Sequence, residues 1–288
     1  MDALARIDAA LELAVCSAET NSPSKLASAL RYAIFPGGAR LRPRLALAVA
    51  WACGDDDPAL ADGAAAAIEL LHCASLIHDD LPCFDNADLR RGKPTIHKLH
   101  GEQIAVLTGD ALIVLAFETL ALRANRRPKR LAALTTIIAR AAGAPGGISA
   151  GQAWECEEKI DLSLYHISKT GSLFSAATMA GAAAAGVASR DWRDLGGLIG
   201  EAYQVADDIR DVVCTEKELG KPVGRDIVLC RPNACQEYGV HGAIERLEAL
   251  VTQAIASIPN CPRAAELRAL IRHEASRFLP SDIARMAA

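Results

Sequence analysis

Apolar residues recur at three- and four-residue spacing in windows near 2–18, 24–35, 41–53, 59–80, 102–124, 129–142, 161–186, 191–214, 241–258 and 263–279. That period marks one face of a helix, so the pattern predicts about ten helices or more. Turn-forming clusters separate the windows: Pro36-Gly37-Gly38, Gly54 with Asp55 to Asp57, Pro82, Gly92-Lys93-Pro94, Pro145-Gly146-Gly147, Gly220-Lys221-Pro222, and the stretch from Pro259 to Pro262. None is long enough to link two domains, and no solenoid repeat is visible. The expectation is a single all-α domain over residues 1–288.

Composition supports helix over strand, because alanine and leucine dominate, β-branched residues are sparse and aromatics make up only 4%. Several windows are apolar around most of their circumference, which suits helices inside a large bundle. Such a bundle can enclose a deep central cavity. The net charge of -4 and the lack of any Lys/Arg run argue against a general nucleic-acid binder. The nine cysteines form no CxxC pair and read as reduced, mostly buried small residues. The start, MDALARIDAALELAV, lacks the basic opening of a signal peptide, and no membrane span is expected from runs such as 131–150 or 176–188, so the cytoplasm is the expected location.

Two acidic clusters change the picture. The first is DDLPCFD, with Asp79, Asp80 and Asp85. Two carboxylates ~4 Å apart repel by roughly 4 kcal/mol at a surface-like dielectric, so the cluster calls for a cation or a raised pKa. Oxygen-only ligands favour Mg²⁺, which commonly takes the rest of its shell from water and substrate phosphate. The second is YQVADDIRD, where Asp207 and Asp211 share a helix face beside Asp208, among Val205, Ala206, Ile209 and Val212. Asp55 to Asp57 has no nearby basic motif and is assigned no function.

A phosphate-bearing substrate also needs fixed positive charge, bidentate from Arg or point-like from Lys. Arg40, Arg42 and Arg44 follow the first glycine turn, Arg90 and Arg91 follow the first acidic cluster, Lys169 and Thr170 precede Gly171, Gln204 stands three before Asp207, and Lys221 follows Asp211 by ten. His72 lies two helical turns before Asp79.

The segments GGARLRP (37–43), HCASLIHDDLPCFDNADLRRGKPT (72–95), KTGSLF (169–174), YQVADDIRD (203–211) and LGKPVGRD (219–226) together resemble the trans-type polyprenyl diphosphate synthases. The likeness is strongest to bacterial geranylgeranyl diphosphate synthases of carotenoid pathways. It implies an isoprenoid-synthase bundle with both acidic motifs facing a deep cavity, usually as a homodimer. It also implies about three Mg²⁺ ions per site and condensation of isopentenyl diphosphate with an allylic diphosphate of C5 to C15. By this resemblance Asp79, Asp80, Asp85, Asp207, Asp208 and Asp211 are metal ligands or their supports. Lys169, Thr170, Gln204, Lys221 and Arg90 serve the allylic substrate, while Arg42, His72 and Arg91 bind isopentenyl diphosphate. Ala39 stands where the family usually has lysine, leaving Arg40, Arg42 and Arg91 to supply the charge.

Product length is expected to depend on the residues beneath the first motif. At ~1.5 Å per residue, Ser75 and Ala74 lie roughly 6 and 7.5 Å below Asp79, and Leu71 roughly 12 Å below. The upper two are small, so a C15 chain can descend and grow to C20. Three other readings stay open: a farnesyl (C15) synthase, a class I terpene cyclase, which the second DDxxD motif disfavours, and a non-catalytic partner subunit, which Ala39 allows.

Overall fold

The computed structural model describes residues 2–35, 37–124, 126–213 and 233–278. Helices α1 (Ala3–Glu19), α2 (Ser24–Ile34), α3 (Leu41–Ala52) and α4 (Pro58–Asp79) come first. They are followed by α5 (Ile96–His100), α6 (Glu102–Arg123), α7 (Pro128–Ala142), α8 (Ile148–Ala153) and α9 (Leu162–His166). A π-helical turn (Ile167–Gly171) then leads into α10 (Ser172–Ala184), α11 (Arg193–Val213), α12 (Ala234–Ala256) and α13 (Ala264–Ala275).

Local chemistry sets several of the starts. Asp2 and Asn233 cap α1 and α12 by accepting from Leu4 N and Cys235 N. At α4, Asp57 accepts from Leu60 N and Pro58 occupies the first turn, where its missing N–H costs nothing. Within the described residues, each of the ten apolar windows contains helix, the 161–186 window taking in α9, the π turn and α10. Pattern reading did not resolve the short α5 and α8, nor the two-residue antiparallel strands β1 (Leu89–Arg90) and β2 (Lys93–Pro94).

Helix α4 is the axis of the bundle. Residues from nearly its whole circumference are buried, and α3, α6 and α10 pack around it. Apolar residues from Ile7 to Phe278 join one core cluster. Two sequence expectations need correction here. Both α4 and α6 are long and apolar enough to cross a membrane by length and composition, whereas none was expected to be. In α4 that apolarity is explained by burial in the bundle. The cysteines are all free among the described residues, as expected, but their burial differs: only Cys53 and Cys73 are buried, while Cys16, Cys83 and Cys156 are exposed.

The acids assigned no function are held in ion pairs, partly buried at Asp55 and exposed at Asp56. Asp55 meets Arg6 at 3.5 Å, and Asp56 meets Arg127 at 3.2 Å and Arg130 at 2.5 Å. They tie the start of α4 to α1 and α7.

Candidate active site

The first acidic motif forms where α4 ends. Asp79 is its last residue and Asp80 its C-cap. This is the wrong end for a capping carboxylate, since the helix dipole there is negative and disfavours added negative charge. Past Pro82 the chain folds back, with Asp85 N donating to Asp79 O at 3.0 Å and Ala87 N to Asp80 O at 3.2 Å. That turn brings Asp85 back beside the first two acids. Arg91 (φ 55) and Gly92 (φ 74) form the two-residue turn of the β1–β2 hairpin; positive φ at both central positions matches the twist of the flanking strands. The hairpin returns Arg90 to the acids. Its Nε donates to Asp80 Oδ1 at 2.9 Å, its Nη2 bonds the same oxygen, and Nη2 lies 3.5 Å from Asp79 Oδ2.

The second motif also lies in the last turns of its helix. On α11, Asp208 and Asp211 are buried and Asp207 is partly exposed, 2.9 Å from Arg210. Asp208 accepts from Gln204 Nε2 at 3.0 Å and from Ala234 N at 2.8 Å. Gln204 in turn accepts from the Thr170 hydroxyl at 3.1 Å. Thr170 belongs to the π turn, a helix irregularity that often marks functional sites. Lys169, in the same turn, reaches across to Asp79 at 3.4 Å. Lys169, Thr170 and Gln204 thus connect the two acidic helix ends. Lys221 lies outside the described residues.

Pattern reading missed Glu155. Its carboxylate accepts from Lys169 Nζ, from the Tyr165 hydroxyl at 2.7 Å and from Gln152 Nε2 at 2.9 Å, so it aims the lysine. Gly151 lets α8 come this close, because a Cβ there would lie 2.4 Å from Lys169 N. The Gly151-Gln152 pair just beyond the Pro145-Gly146-Gly147 break was the available signal.

The electrostatics fit a divalent, oxygen-loving cation. Burial, reinforced by Asp79 and Asp85, raises the Asp80 carboxyl above its ordinary value even though Arg90 opposes the shift. Arg90 and Lys169 already crowd positive charge against Asp79 and Asp80. Among the described residues, no three His, Cys, Asp or Glu side chains are grouped so that they alone could hold a metal ion. An Mg²⁺ ion held here would take much of its octahedron from water and phosphate.

A second positive region lies behind the first motif. Arg42 stacks on Phe174, 4.3 Å from the ring centroid, and its Nη1 is 3.4 Å from His72 Nε2. Burial, followed by the charges of Arg42, Arg91, Arg90 and Arg40, pushes the His72 imidazole well below its usual pKa. His72 is therefore neutral at pH 7, able to bond an anion but not to add charge. The Arg91 guanidinium lies against Gly38, so the hairpin and the GGARLRP loop meet here.

Arg40 departs from the expectation of substrate contact. It adopts a left-handed conformation (φ 51) that turns its side chain into the core. There it pairs with buried Glu69 at 2.7 Å and donates to Ile34 O at 2.8 Å. Arg44 pairs with Glu274 at 2.6 Å on α13. Of the three alternating arginines, only Arg42 joins His72 and Arg91.

Below Asp79 a cavity of about 350 Å³ runs along α4. Its walls include Leu71, Ala74, Ser75 and His78 of α4, Phe84, Ile113 of α6, Ala142 of α7, and Ile148, Gln152 and Cys156. All three length-setting candidates therefore face one space that opens at the first acidic motif.

A profile of the polyprenyl synthetase family matches residues 23–267. A geranylgeranyl diphosphate synthase of Cereibacter sphaeroides is 55% identical over 280 residues, covering 97% of each chain. Among solved structures, geranylgeranyl pyrophosphate synthetase of Pyrococcus horikoshii superposes with a TM-score of 0.79 at 27% identity, covering 96% of this chain and 98% of that one. A geranyltransferase of Helicobacter pylori complexed with magnesium and isoprenyl diphosphate gives 0.78 at 30% identity, with the same coverage.

Proposed function

The chain belongs to the polyprenyl synthetase family, and we propose that it condenses isopentenyl diphosphate with an allylic diphosphate to make geranylgeranyl diphosphate (C20). The observation that carries this reading is the apolar cavity lying directly beneath Asp79 of the carboxylate cluster, with Arg42, His72 and Arg91 gathered behind the same motif. Incubating the protein with Mg²⁺, isopentenyl diphosphate and C5, C10 or C15 starters, then sizing the product, is the test. A dominant C15 product supports the farnesyl alternative, cyclic hydrocarbon a cyclase, and no elongation a silent subunit.

The residues divide the work by charge and position. Asp79, Asp80 and Asp85 on one side and Asp207, Asp208 and Asp211 on the other would hold about three Mg²⁺ ions. Bound Mg²⁺ neutralises charge that builds on the departing diphosphate. Arg90 and Lys169 add fixed donors to that group, with Glu155 limiting how far Lys169 can swing. Thr170 and Gln204 fix the polar edge between the acidic helices. Arg42, Arg91 and His72 take the diphosphate of isopentenyl diphosphate. When the allylic C–O bond ionises, the isopentenyl double bond attacks the allylic carbon. The adduct then loses a proton to the departing diphosphate, restoring a neutral alkene. The cavity holds the growing chain away from water that would quench the cation.

Two expected results follow from the cavity and the loop. Ala74→Phe, and more weakly Ser75→Phe, fills the upper cavity and shifts the product from C20 to C15; an unchanged C20 product in product sizing rules out α4 as the length gauge. Ala39 is exposed, so Ala39→Lys adds a solvated cation near Arg42 and Arg91. It is expected to lower KM for isopentenyl diphosphate by about fivefold, equivalent to ~1 kcal/mol, with KM for the allylic substrate unchanged.

We further propose a homodimer in the cytoplasm, supplying a carotenoid pathway. Leu107, Val114 and Leu122 stand exposed along one side of α6, which supports pairing through that helix. Light scattering of the purified protein at micromolar concentration tests the dimer.

A further inference from the structure

The length gauge above is built on α4, yet the cavity has a second wall on α6. His78, one residue before Asp79, stands between the two helices and lines the cavity. Its Nε2 lies 3.5 Å from the Val106 carbonyl oxygen and 3.8 Å from Asp110 Oδ1, so the ring is drawn back onto α6.

The ring fits there because residue 109 has no side chain. A Cβ built on Gly109 would lie 2.0 Å from His78 Nε2, 2.5 Å from Cδ2 and 2.8 Å from Cε1. All three nearest atoms belong to this one imidazole. Gly109 is buried within the 22-residue helix α6, where glycine costs roughly 0.5–1 kcal/mol relative to alanine. Its φ is not positive, so conformation does not call for glycine. What the missing side chain provides is room for His78.

We propose that Gly109 is a notch that keeps the His78 imidazole out of the path of the growing chain, making the Gly109–His78 pair a product-length determinant on the α6 side of the cavity. The proposal rests on the reading of this cavity as the prenyl-chain site. A methyl group at 109 must move the ring. The backbones of α4 and α6 close two sides, and the cavity that the ring already lines is the space beside Asp79 and Ser75. A ring displaced into it narrows the entrance to the apolar channel, and elongation stops earlier.

The test sizes the products made by purified variants from isopentenyl diphosphate, Mg²⁺ and a C5 starter. Gly109→Ala is expected to raise the C15:C20 ratio by roughly tenfold or more. The double variant Gly109→Ala/His78→Ala keeps the methyl, removes the ring and is expected to return the product to C20. A wild-type product from Gly109→Ala overturns the proposal, as does a double variant that still stops at C15. His78→Trp, whose indole overfills the notch, gives a second reading on an unaltered α6 and is also expected to shorten the product; C20 from it overturns the proposal even if Gly109→Ala is insoluble. Ala74→Phe, assayed in parallel, separates the two levels of inference. If Ala74→Phe stops at C15 while Gly109→Ala and His78→Trp still yield C20, only the notch is wrong. If Ala74→Phe also yields C20, the cavity reading fails and the notch with it.

Discussion

Replacing Asp80 with asparagine is expected to lower kcat by about 10²–10³-fold at saturating substrates, the usual cost of removing one fixed group that stabilises developing charge. It is not expected to lower the thermal stability of the metal-free protein. Asp80 is nearly buried, and burial together with Asp79 and Asp85 raises its carboxyl pKa. The sign follows directly. A carboxyl whose folded-state pKa is raised binds protons more readily when folded, so its ionised form weakens the fold at neutral pH and the penalty is relieved as pH falls through that pKa. Asparagine has no such penalty. Melting of metal-free wild type and Asp80→Asn at pH 5 and pH 7, beside kcat at saturating Mg²⁺, checks both halves. Unchanged turnover removes Asp80 from the metal site. A fall of several degrees in Tm would show that Asp80 is structural, with Arg90 as its reason for being there.

The same tension explains which parts of the site were legible in the sequence. The acidic clusters stood out because carboxylates at such density conflict with ordinary folding, and such conflict marks functional sites. Helix windows were legible because α4, α6 and α11 each run for five turns or more of periodic pattern. The short α8 was not, since six residues after Pro145-Gly146-Gly147 carry too little periodicity to separate helix from turn. Glu155 was missed for a related reason. It follows α8 in a 3₁₀ turn, and only tertiary packing through Gly151 brings its carboxylate to Lys169. The division among Arg40, Arg42 and Arg44 was equally hidden. Alternation along the chain does not reveal a left-handed residue, and that one backbone rotation sends Arg40 inward.

Arg40→Met is expected to destabilise the protein by about 3–5 kcal/mol, the largest stability loss of any substitution considered, because it leaves Glu69 as an uncompensated charge in the core. Both side chains of the pair are only 3% exposed, so water cannot replace the lost partner. The αL backbone adds to this. A non-glycine residue there carries roughly 1–2 kcal/mol of strain, which the bonds to Glu69 and Ile34 O offset. Arg40→Met/Glu69→Met removes both charges and is expected to recover most of the loss in urea unfolding, as buried ion pairs exchanged for apolar groups often do. Kinetics of the double variant decide what Arg40 is for. As a strut that holds the GGARLRP loop on α4, it can be replaced by packing, and KM for isopentenyl diphosphate should stay within about threefold of wild type. Arg42→Ala, by contrast, should raise that KM by at least tenfold, since a charged hydrogen bond to diphosphate is worth about 1.5–3 kcal/mol. A double variant whose KM rises as far as that of Arg42→Ala would restore Arg40 to the substrate site.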